Sequence, residues 1–170
     1  MSCCPFGRRR SKADSIRRRY FAGRQIRNTA SVGGNIATAS PISDLNPVWI
    51  ATDAYVIAAS AEKGEFTLPL ASFFTGYRKT TLPADAVIVR IVVPLHKKEG
   101  EREFVRAFKQ AKRRDDDISI VCACMAFKIK EDGVISSVRL AYGGMAAWTV
   151  QAPKTQEYLT GEQKPAGSDG

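Results

Sequence analysis

The segment TASVGGNIATASPISDLNP, residues 29–47, constrains the fold of this chain more than any other stretch. It combines two adjacent glycines, Gly33 and Gly34, with an amide, several hydroxyls and one carboxylate, and it has almost no side-chain bulk. Adjacent glycines tolerate positive φ angles, so they predict a loop whose backbone N–H groups face an anion. The small residues 35–40 that follow are typical of a helix that begins beneath a phosphate. The segment therefore predicts a cradle for a large ligand, and a Gly-Gly turn leading into a serine-rich loop is the alternative.

Five further strings occur around this segment. They are FAGRQ at 21–25, FFTGYRKT at 73–80, AFKQA at 107–111, RRDDDI at 113–118 and YGGM at 142–145. Their order and spacing resemble the flavin domain of the molybdenum hydroxylases, the family of xanthine dehydrogenase, between residues 20 and 157. The GYRKT string favours xanthine dehydrogenase over the sister aldehyde oxidases. The resemblance implies that the ligand of the glycine segment is FAD.

The resemblance also implies, position by position, which residues contact the cofactor. They are Phe21, Ser31, Val32, Gly33, Gly34, Asn35, Thr38, Asp44, Ile88 and Lys109. The residue types suit the task, because glycine N–H groups can meet a pyrophosphate, Asp44 can accept hydrogen bonds from polyol hydroxyls, and Phe21 offers an aromatic face to the isoalloxazine. Lys109 would place a cation near the ring edge, where negative charge grows on reduction. The structural alternatives are a core position for Phe21, an N-cap for Asp44 and a surface charge for Lys109.

The family further implies that Tyr77 and the charged cluster RRDDD at 113–117 lie near the flavin and the approach of a nicotinamide. A solvated turn is the alternative interpretation of the cluster. The chain has no Ser/His/Asp or Cys/His set and no metal-ligating constellation, so we assign no catalytic residue and no metal ligand. The only histidine, His96, stands alone in a charged segment and is interpreted as inert.

The predicted elements occur in a mixed rather than a strictly alternating order, which favours an α+β fold. They are a buried helix at 47–54, a hairpin of strands 55–60 and 65–69 around Gly64, a helical turn at 70–74, a central strand at 86–93, a strand at 104–109, paired strands at 118–130 and 133–142, and a helix at 150–159. Phe104 and Phe108 are expected on one face of their strand. A solvated connection is expected at 96–103, with a separate sheet on each side of it.

The resemblance implies two domains that follow a leader. The expected ranges are a basic, disordered leader at 1–20, the second lobe of a PCMH-type FAD-binding domain at 21–98, a small antiparallel-sheet domain like the C-terminal domain of the carbon monoxide dehydrogenase flavoprotein at 103–160, and a disordered tail at 161–170. The family's earlier lobe with its Gly-rich phosphate loop, its iron–sulfur domains and its molybdenum-cofactor domains have no counterpart in this sequence. We therefore expect a piece of a much larger enzyme.

The charge of the chain is concentrated in the leader. The net charge is +9, and residues 1–20 hold seven Arg or Lys against one Asp, a balance of +6. Nucleic-acid binding is not expected, because no aromatic residues are interleaved with the basic ones. No apolar run approaches the roughly 20 residues of a membrane span. The Cys3-Cys4 pair beside this charge leaves a doubly acylated membrane anchor as an alternative for the leader.

The other two cysteines, Cys122 and Cys124, lie in an apolar, strand-like run and are expected to be buried free thiols. Because no secretory signal is present near Met1, a reducing cytoplasm is the expected location.

The residues and the resemblance leave the function open between classes. The first hypothesis is an FAD-binding segment of a xanthine dehydrogenase-like oxidoreductase, in which flavin passes electrons from iron–sulfur centres to NAD within a homodimer. The second is a non-catalytic fragment or docking module that does not hold FAD, and the third is a membrane-tethered adaptor. The isolated chain is expected to be inactive and to bind FAD weakly or not at all, because the lobe with the phosphate loop is missing.

Overall fold

A computed structural model gives the fold and describes residues 22–95, 100–113 and 116–162. Predictions for the leader, Phe21, His96 and residues 163–170 lie outside the described residues. The described residues combine short helices with antiparallel sheets, so the α+β class is confirmed.

Three short helices precede the first sheet: α1 Arg24–Thr29, α2 Val32–Thr38 and α3 Asn46–Ala51. The last of these is the buried helix predicted at 47–54, and all six of its residues are buried. It ends earlier than predicted because Asp53 adopts the left-handed conformation, with φ of 58°, which a right-handed helix does not accommodate.

The first sheet contains β1 Tyr55–Ser60, β2 Gly64–Pro69 and β5 Val87–Val92 in the order β2-β1-β5, with antiparallel pairing throughout. The predicted hairpin is confirmed, and Gly64, with φ of 64°, sits where β2 begins. The prediction of a central strand at 86–93 is wrong in position. Within the described residues β1 is central and β5 is at the edge, where Val87 and Val89 are 65% and 47% exposed. A β-branched run predicts a strand but does not predict how many neighbours it has.

A small hairpin connects β2 to β5. The predicted helical turn is a 3₁₀ turn at Leu70–Ser72, and β3 Phe74–Gly76 then pairs with β4 Lys79–Thr80. Phe73 is fully buried and makes an edge-to-face contact with Phe74, with ring centroids 5.3 Å apart. This contact anchors the hairpin on the core while its tip remains exposed.

The second sheet has four antiparallel strands in the order β6-β7-β8-β9 among the described residues. They are β6 Glu101–Gln110, β7 Val121–Lys130, β8 Ile135–Gly143 and β9 Val150–Gln151. The predicted hairpin around Gly133 is confirmed, since Gly133 takes φ of 83°. Two predicted boundaries are wrong: residues 101–103 belong to β6 rather than to a connection, and Val150 begins β9 rather than a helix. The helix α4 follows at Pro153–Leu159 and packs on β8.

The two faces of the second sheet differ. Phe104 and Phe108 lie on the same face of β6, as predicted, and are 38% and 54% exposed. Val105 and Ala107 point the other way and pack against the main core. The inner face therefore belongs to the core that the two sheets share.

Helix α3 forms that shared core by packing on both β7 and β8. One hydrophobic cluster runs from Ile36 and Val56 through α3 to Cys124 and Ala141. A helix that is apolar on all sides must be covered on all sides, and here sheets from both halves of the chain cover it. Cys122 and Cys124 are buried, as predicted. None of the helices in the described residues has the length and apolarity that a membrane span requires.

Candidate functional site

The glycine segment folds as a capped helix. Ser31 is the N-cap of α2, and its Oγ accepts a hydrogen bond from the Gly34 N–H at 3.0 Å. Ser and Thr are favoured at this position because their side-chain oxygen satisfies one of the N–H groups that a helix start leaves without an acceptor. The helix ends at Ala39, which takes φ of 49°. The sequence thus determines both ends of α2 locally.

The prediction of positive φ angles at Gly33 and Gly34 is wrong. Both glycines lie inside α2, and neither is among the glycines with positive φ. Their small size matters for a different reason. A Cβ added to Gly33 would meet nothing within 4 Å, whereas one added to Gly34 would lie 2.7 Å from Ser31 Oγ. The surface over Gly33 is therefore open, and Gly34 is required by the cap.

Two polar side chains of α2, those of Thr38 and Asn35, take part in hydrogen bonds. Thr38 Oγ1 donates to the Gly34 carbonyl at 2.7 Å, within the same helix. Asn35 Oδ1 accepts from Ser43 Oγ at 2.9 Å. Ser43 is buried, whereas Asn35 is half-buried and Thr38 is exposed. The helix therefore presents a surface of small residues that carries one amide and one hydroxyl.

Asp44 and Lys109, 65 positions apart in sequence, form a buried ion pair. Lys109 Nζ lies 2.9 Å from Asp44 Oδ2, and the two side chains are 14% and 7% exposed. Lys109 also donates to the Asp117 carbonyl at 2.7 Å, and Ser119 donates to Asp44 Oδ1. This network, hereafter the interdomain network, consists of Asp44, Lys109, Ser119 and the Asp117 carbonyl. The family resemblance indicates Asp44 and Lys109 as ligand contacts but does not reveal that they pair with each other.

Two further contacts hold residues 41–43 against the second sheet. The Cys122 thiol lies 3.4 Å from the Ser43 carbonyl, and the Gly144 N–H donates to the Pro41 carbonyl at 2.8 Å. Gly143 allows this close approach, because an added Cβ would lie 2.6 Å from the Cys122 sulfur. The second sheet thus supports the segment that follows α2. No local pattern in the sequence distinguishes Ser43 and Ser119 from ordinary loop residues, and the YGGM string does not reveal that Gly143 packs against Cys122.

The charged cluster at 113–117 forms an ordered turn in its described part. Asp117 accepts backbone N–H bonds from Arg113 at 2.8 Å and Ile118 at 2.9 Å. The Arg113 N–H, together with the smaller contributions of Ile118 and the Arg113 charge, lowers the pKa of the Asp117 carboxyl below its ordinary value. The Arg113 guanidinium donates to the Asp116 carbonyl at 2.8 Å. These contacts account for the cluster as a turn that also places the Asp117 carbonyl on Lys109.

The remaining predicted site residues lie apart from the network. Ile88 is half-buried on β5 and packs against the main core, as an ordinary strand residue does. Tyr77 is 62% exposed at the tip of the β3-β4 hairpin, and the Arg78 guanidinium lies 5.9 Å from its ring centroid. A second ion pair, between Arg139 and Asp53, joins β8 to the turn between α3 and β1.

Comparisons with known proteins agree with this architecture. A family model described as the FAD binding domain in molybdopterin dehydrogenase matches residues 8–96, and one described as the CO dehydrogenase flavoprotein C-terminal domain matches residues 106–166. The first match ends after the first sheet, and the second begins within β6 of the second sheet. The fold and these matches place the chain in the class of flavoproteins. It belongs to the family of FAD-binding domains of molybdopterin dehydrogenases, as the resemblance implied.

The chain is similar to two fungal enzymes and to a solved flavoprotein structure. The xanthine dehydrogenase of Blastobotrys adeninivorans is 54% identical over 144 residues, which cover 85% of this chain and 10% of that protein. The nicotinate hydroxylase of Emericella nidulans is 50% identical over 147 residues, covering 85% and 11%. A chain of carbon monoxide dehydrogenase from Hydrogenophaga pseudoflava superposes with a TM-score of 0.75 at 28% identity, covering 85% of this chain and 48% of that one. The chain therefore spans about a tenth of the length of these curated relatives.

The residues of α2 fit the cofactor of this family. FAD carries phosphate oxygens and ring carbonyls, which are hydrogen-bond acceptors. The open surface over Gly33 admits such a ligand close to the backbone, and the neighbouring Asn35 amide offers donors. The fit is to one side of a dinucleotide, because the described residues supply a single helix with this character.

Proposed function

We propose that this chain is the FAD-binding segment of a xanthine dehydrogenase-like oxidoreductase. The observation that carries the proposal is the small-residue surface of α2, which is open over Gly33 and is held on the second sheet by the interdomain network. In the complete enzyme, FAD supplies the exchange of electrons between iron–sulfur centres and NAD. The expected setting is a cytoplasmic homodimer that also carries the molybdenum-cofactor domains.

The residues of this chain bind and orient the cofactor in the proposal. The backbone at Val32 and Gly33 approaches the pyrophosphate, because the first turn of a helix leaves its N–H groups without intrahelical acceptors. Asn35 donates a hydrogen bond from its amide, and Thr38 and Ile88 border the ligand. Phe21, outside the described residues, is assigned the aromatic contact with the isoalloxazine.

Asp44 and Lys109 take revised roles in the proposal. Asp44 was assigned to polyol hydroxyls and Lys109 to the ring edge, yet each has the other as a buried partner. We assign their first task to holding the α2 surface against the second sheet. Any contact that they make with FAD is then made by a pair whose charges largely compensate, so it contributes less than an isolated cation would.

A second candidate function is a non-catalytic docking module. The observation that favours it is the interdomain network itself, since an ion pair that ties the segment before α3 to the second sheet is a sufficient structural reason for Asp44 and Lys109. In this alternative the chain keeps its fold without holding FAD.

Titration of FAD into the purified chain tests the proposal and the alternative together. We expect saturable but weak binding, with a dissociation constant above the micromolar range. The residues of this chain face one side of the ligand, and each charge-assisted hydrogen bond that they do not supply is worth about 1.5–3 kcal/mol. No turnover of NADH or xanthine is expected from the chain alone.

The matched variants are Gly33→Leu, which fills the open surface, and Ala61→Leu, which introduces the same side chain in an exposed turn between β1 and β2. Only Gly33→Leu should abolish binding. Equal binding by the two variants would place the flavin elsewhere, and the absence of saturable binding by the parent chain would favour the docking module. A submicromolar dissociation constant would show that the residues of this chain are by themselves a sufficient site, contrary to our expectation.

A further inference from the structure

The Ser43 hydroxyl connects α2 to α3 through three hydrogen bonds. Its oxygen accepts from the backbone N–H groups of Leu45 and Asn46, both at 3.3 Å, and lies 2.9 Å from Asn35 Oδ1. Ser43 is 4% exposed, so solvent does not compete for its proton. The three contacts together determine where that proton goes.

A serine hydroxyl has one proton to donate. The Leu45 and Asn46 N–H groups are donors only, so the Ser43 proton is directed to Asn35. If the Asn35 amide were rotated by half a turn, its NH₂ group would be a third donor to Ser43 Oγ, and the Ser43 proton would lose its acceptor. The hydrogen-bond pattern therefore assigns Oδ1 to the inner position and Nδ2 to the outer one.

The outer position of Nδ2 gives Asn35 a defined chemical character. Asn35 is half-buried on α2, and its Nδ2 has no hydrogen-bond acceptor among residues 22–95, 100–113 and 116–162. Nδ2 carries two protons and has no acceptor capacity. The outward end of Asn35 therefore selects ligand atoms that accept hydrogen bonds.

We propose that Ser43 is a positioning residue that fixes Asn35 as a hydrogen-bond donor to an acceptor atom of the bound flavin dinucleotide. This inference rests on the proposed function and extends it, since it assigns a role to a residue that does not touch the ligand. The acceptor belongs either to the pyrophosphate or to the flavin ring. Titration with ADP and with riboflavin, which carry these two parts separately, distinguishes the two sources.

The test measures FAD affinity of the full chain by NMR titration, which detects millimolar dissociation constants. Asn35→Ala and Ser43→Ala should each weaken binding about five- to tenfold, the equivalent of one neutral hydrogen bond. Asn35→Asp should weaken it further, because a carboxylate can still accept from Ser43 but presents an acceptor where the ligand needs a donor. Ser43→Thr, which keeps the hydroxyl, should restore most of the affinity.

A control separates positioning from simple stabilisation. Ser43→Ala also removes an acceptor at the start of α3, so it should lower the free energy of unfolding. Thr52→Ala is the control, because it removes a hydroxyl that donates to the Val48 carbonyl at 2.8 Å, near the other end of α3. Only Ser43→Ala should affect FAD binding, and its effect should fall below twofold in an Asn35→Ala background. If the Ser43→Ala variant does not fold, the FAD affinity of Asn35→Asp still tests the inference, because position 35 is only half-buried.

Two results would overturn the inference while leaving FAD binding intact. One is an Asn35→Asp variant that binds FAD as tightly as the parent, and the other is a Ser43→Ala effect of the same size with and without Asn35. Loss of all FAD binding in the parent chain would instead overturn the proposed function and this inference with it.

Discussion

Substitution of Lys109 by Met tests whether the interdomain network stabilises the fold. The change keeps most of the unbranched side chain and removes the ammonium that lies 2.9 Å from Asp44 Oδ2 and 2.7 Å from the Asp117 carbonyl. The Asp44 carboxylate, 7% exposed, then stays buried after losing the ammonium that lies nearest to its Oδ2. Removing one partner of a buried ion pair typically costs about 3–5 kcal/mol. With 14% of the Lys109 side chain exposed, we expect the lower end, about 3 kcal/mol.

A matched surface pair provides the control. Arg90 and Glu65 join β5 to β2 at 2.6 Å, but their side chains are 57% and 54% exposed. Solvent-exposed ion pairs contribute about 0.2–1 kcal/mol, so Arg90→Met should lower the free energy of unfolding by no more than that. The comparison isolates burial, since both variants replace a cation by the same residue.

The measurement is urea unfolding followed by tryptophan fluorescence, since Trp49 lies in the helix that joins the two sheets. Asp44→Asn and the double variant complete a mutant cycle, in which the double variant should be more stable than the sum of the single losses predicts by about 1–3 kcal/mol. A Lys109→Met loss as small as that of Arg90→Met would refute the reasoning. So would strict additivity of the two single variants.

Three other perturbations have outcomes that the structure determines. Gly33→Ala should raise the free energy of unfolding by up to about 1 kcal/mol, because alanine favours a helix more than glycine does, and it should weaken FAD binding. Gly34→Ala should be about 1 kcal/mol less stable than Gly33→Ala, because its Cβ displaces the Ser31 cap. Urea unfolding of the two variants measures this difference. Gly144→Ala should destabilise by at least about 2 kcal/mol, because φ is 81° and the added Cβ would overlap a backbone carbonyl oxygen, and a melting temperature equal to the parent's would contradict this. The pKa of Asp117 is lowered from 3.8. Its contribution to stability is therefore fully present above pH 3.8 and is lost as the pH falls through the lower pKa of the folded state. An NMR titration midpoint of the Asp117 carboxyl at or above 3.8 would be incompatible with the turn.

Local pattern was sufficient for the elements whose determinants lie within a few residues. The hairpins predicted around Gly64 and Gly133 are both present, and each glycine takes a positive φ angle. In such elements the turn residue supplies the backbone angle, and no distant partner is required. The strings that carry the family resemblance belong to the same category.

Local pattern misjudged features that depend on neighbours. The glycine pair suggested positive φ angles, but the Ser31 cap continues the helix through both residues. The β-branched sequence of β5 predicts a central strand, yet among the described residues β5 lies at the edge of its sheet and two of its valines are exposed. Glycine permits several backbone conformations, and its surroundings decide which one is adopted.

The sequence by itself was sufficient to identify the family, the class of cofactor and the glycine segment as the candidate site, because these depend on residue types at fixed spacing. The tertiary structure alone decided that Asp44 and Lys109 are partners of each other and that Ser43 orients Asn35. Ion pairs and buried hydrogen bonds form between groups that the fold brings within about 3 Å, and no spacing along the chain encodes that approach. The same residues could thus be selected from sequence, while their roles could be assigned only after the two sheets were packed together.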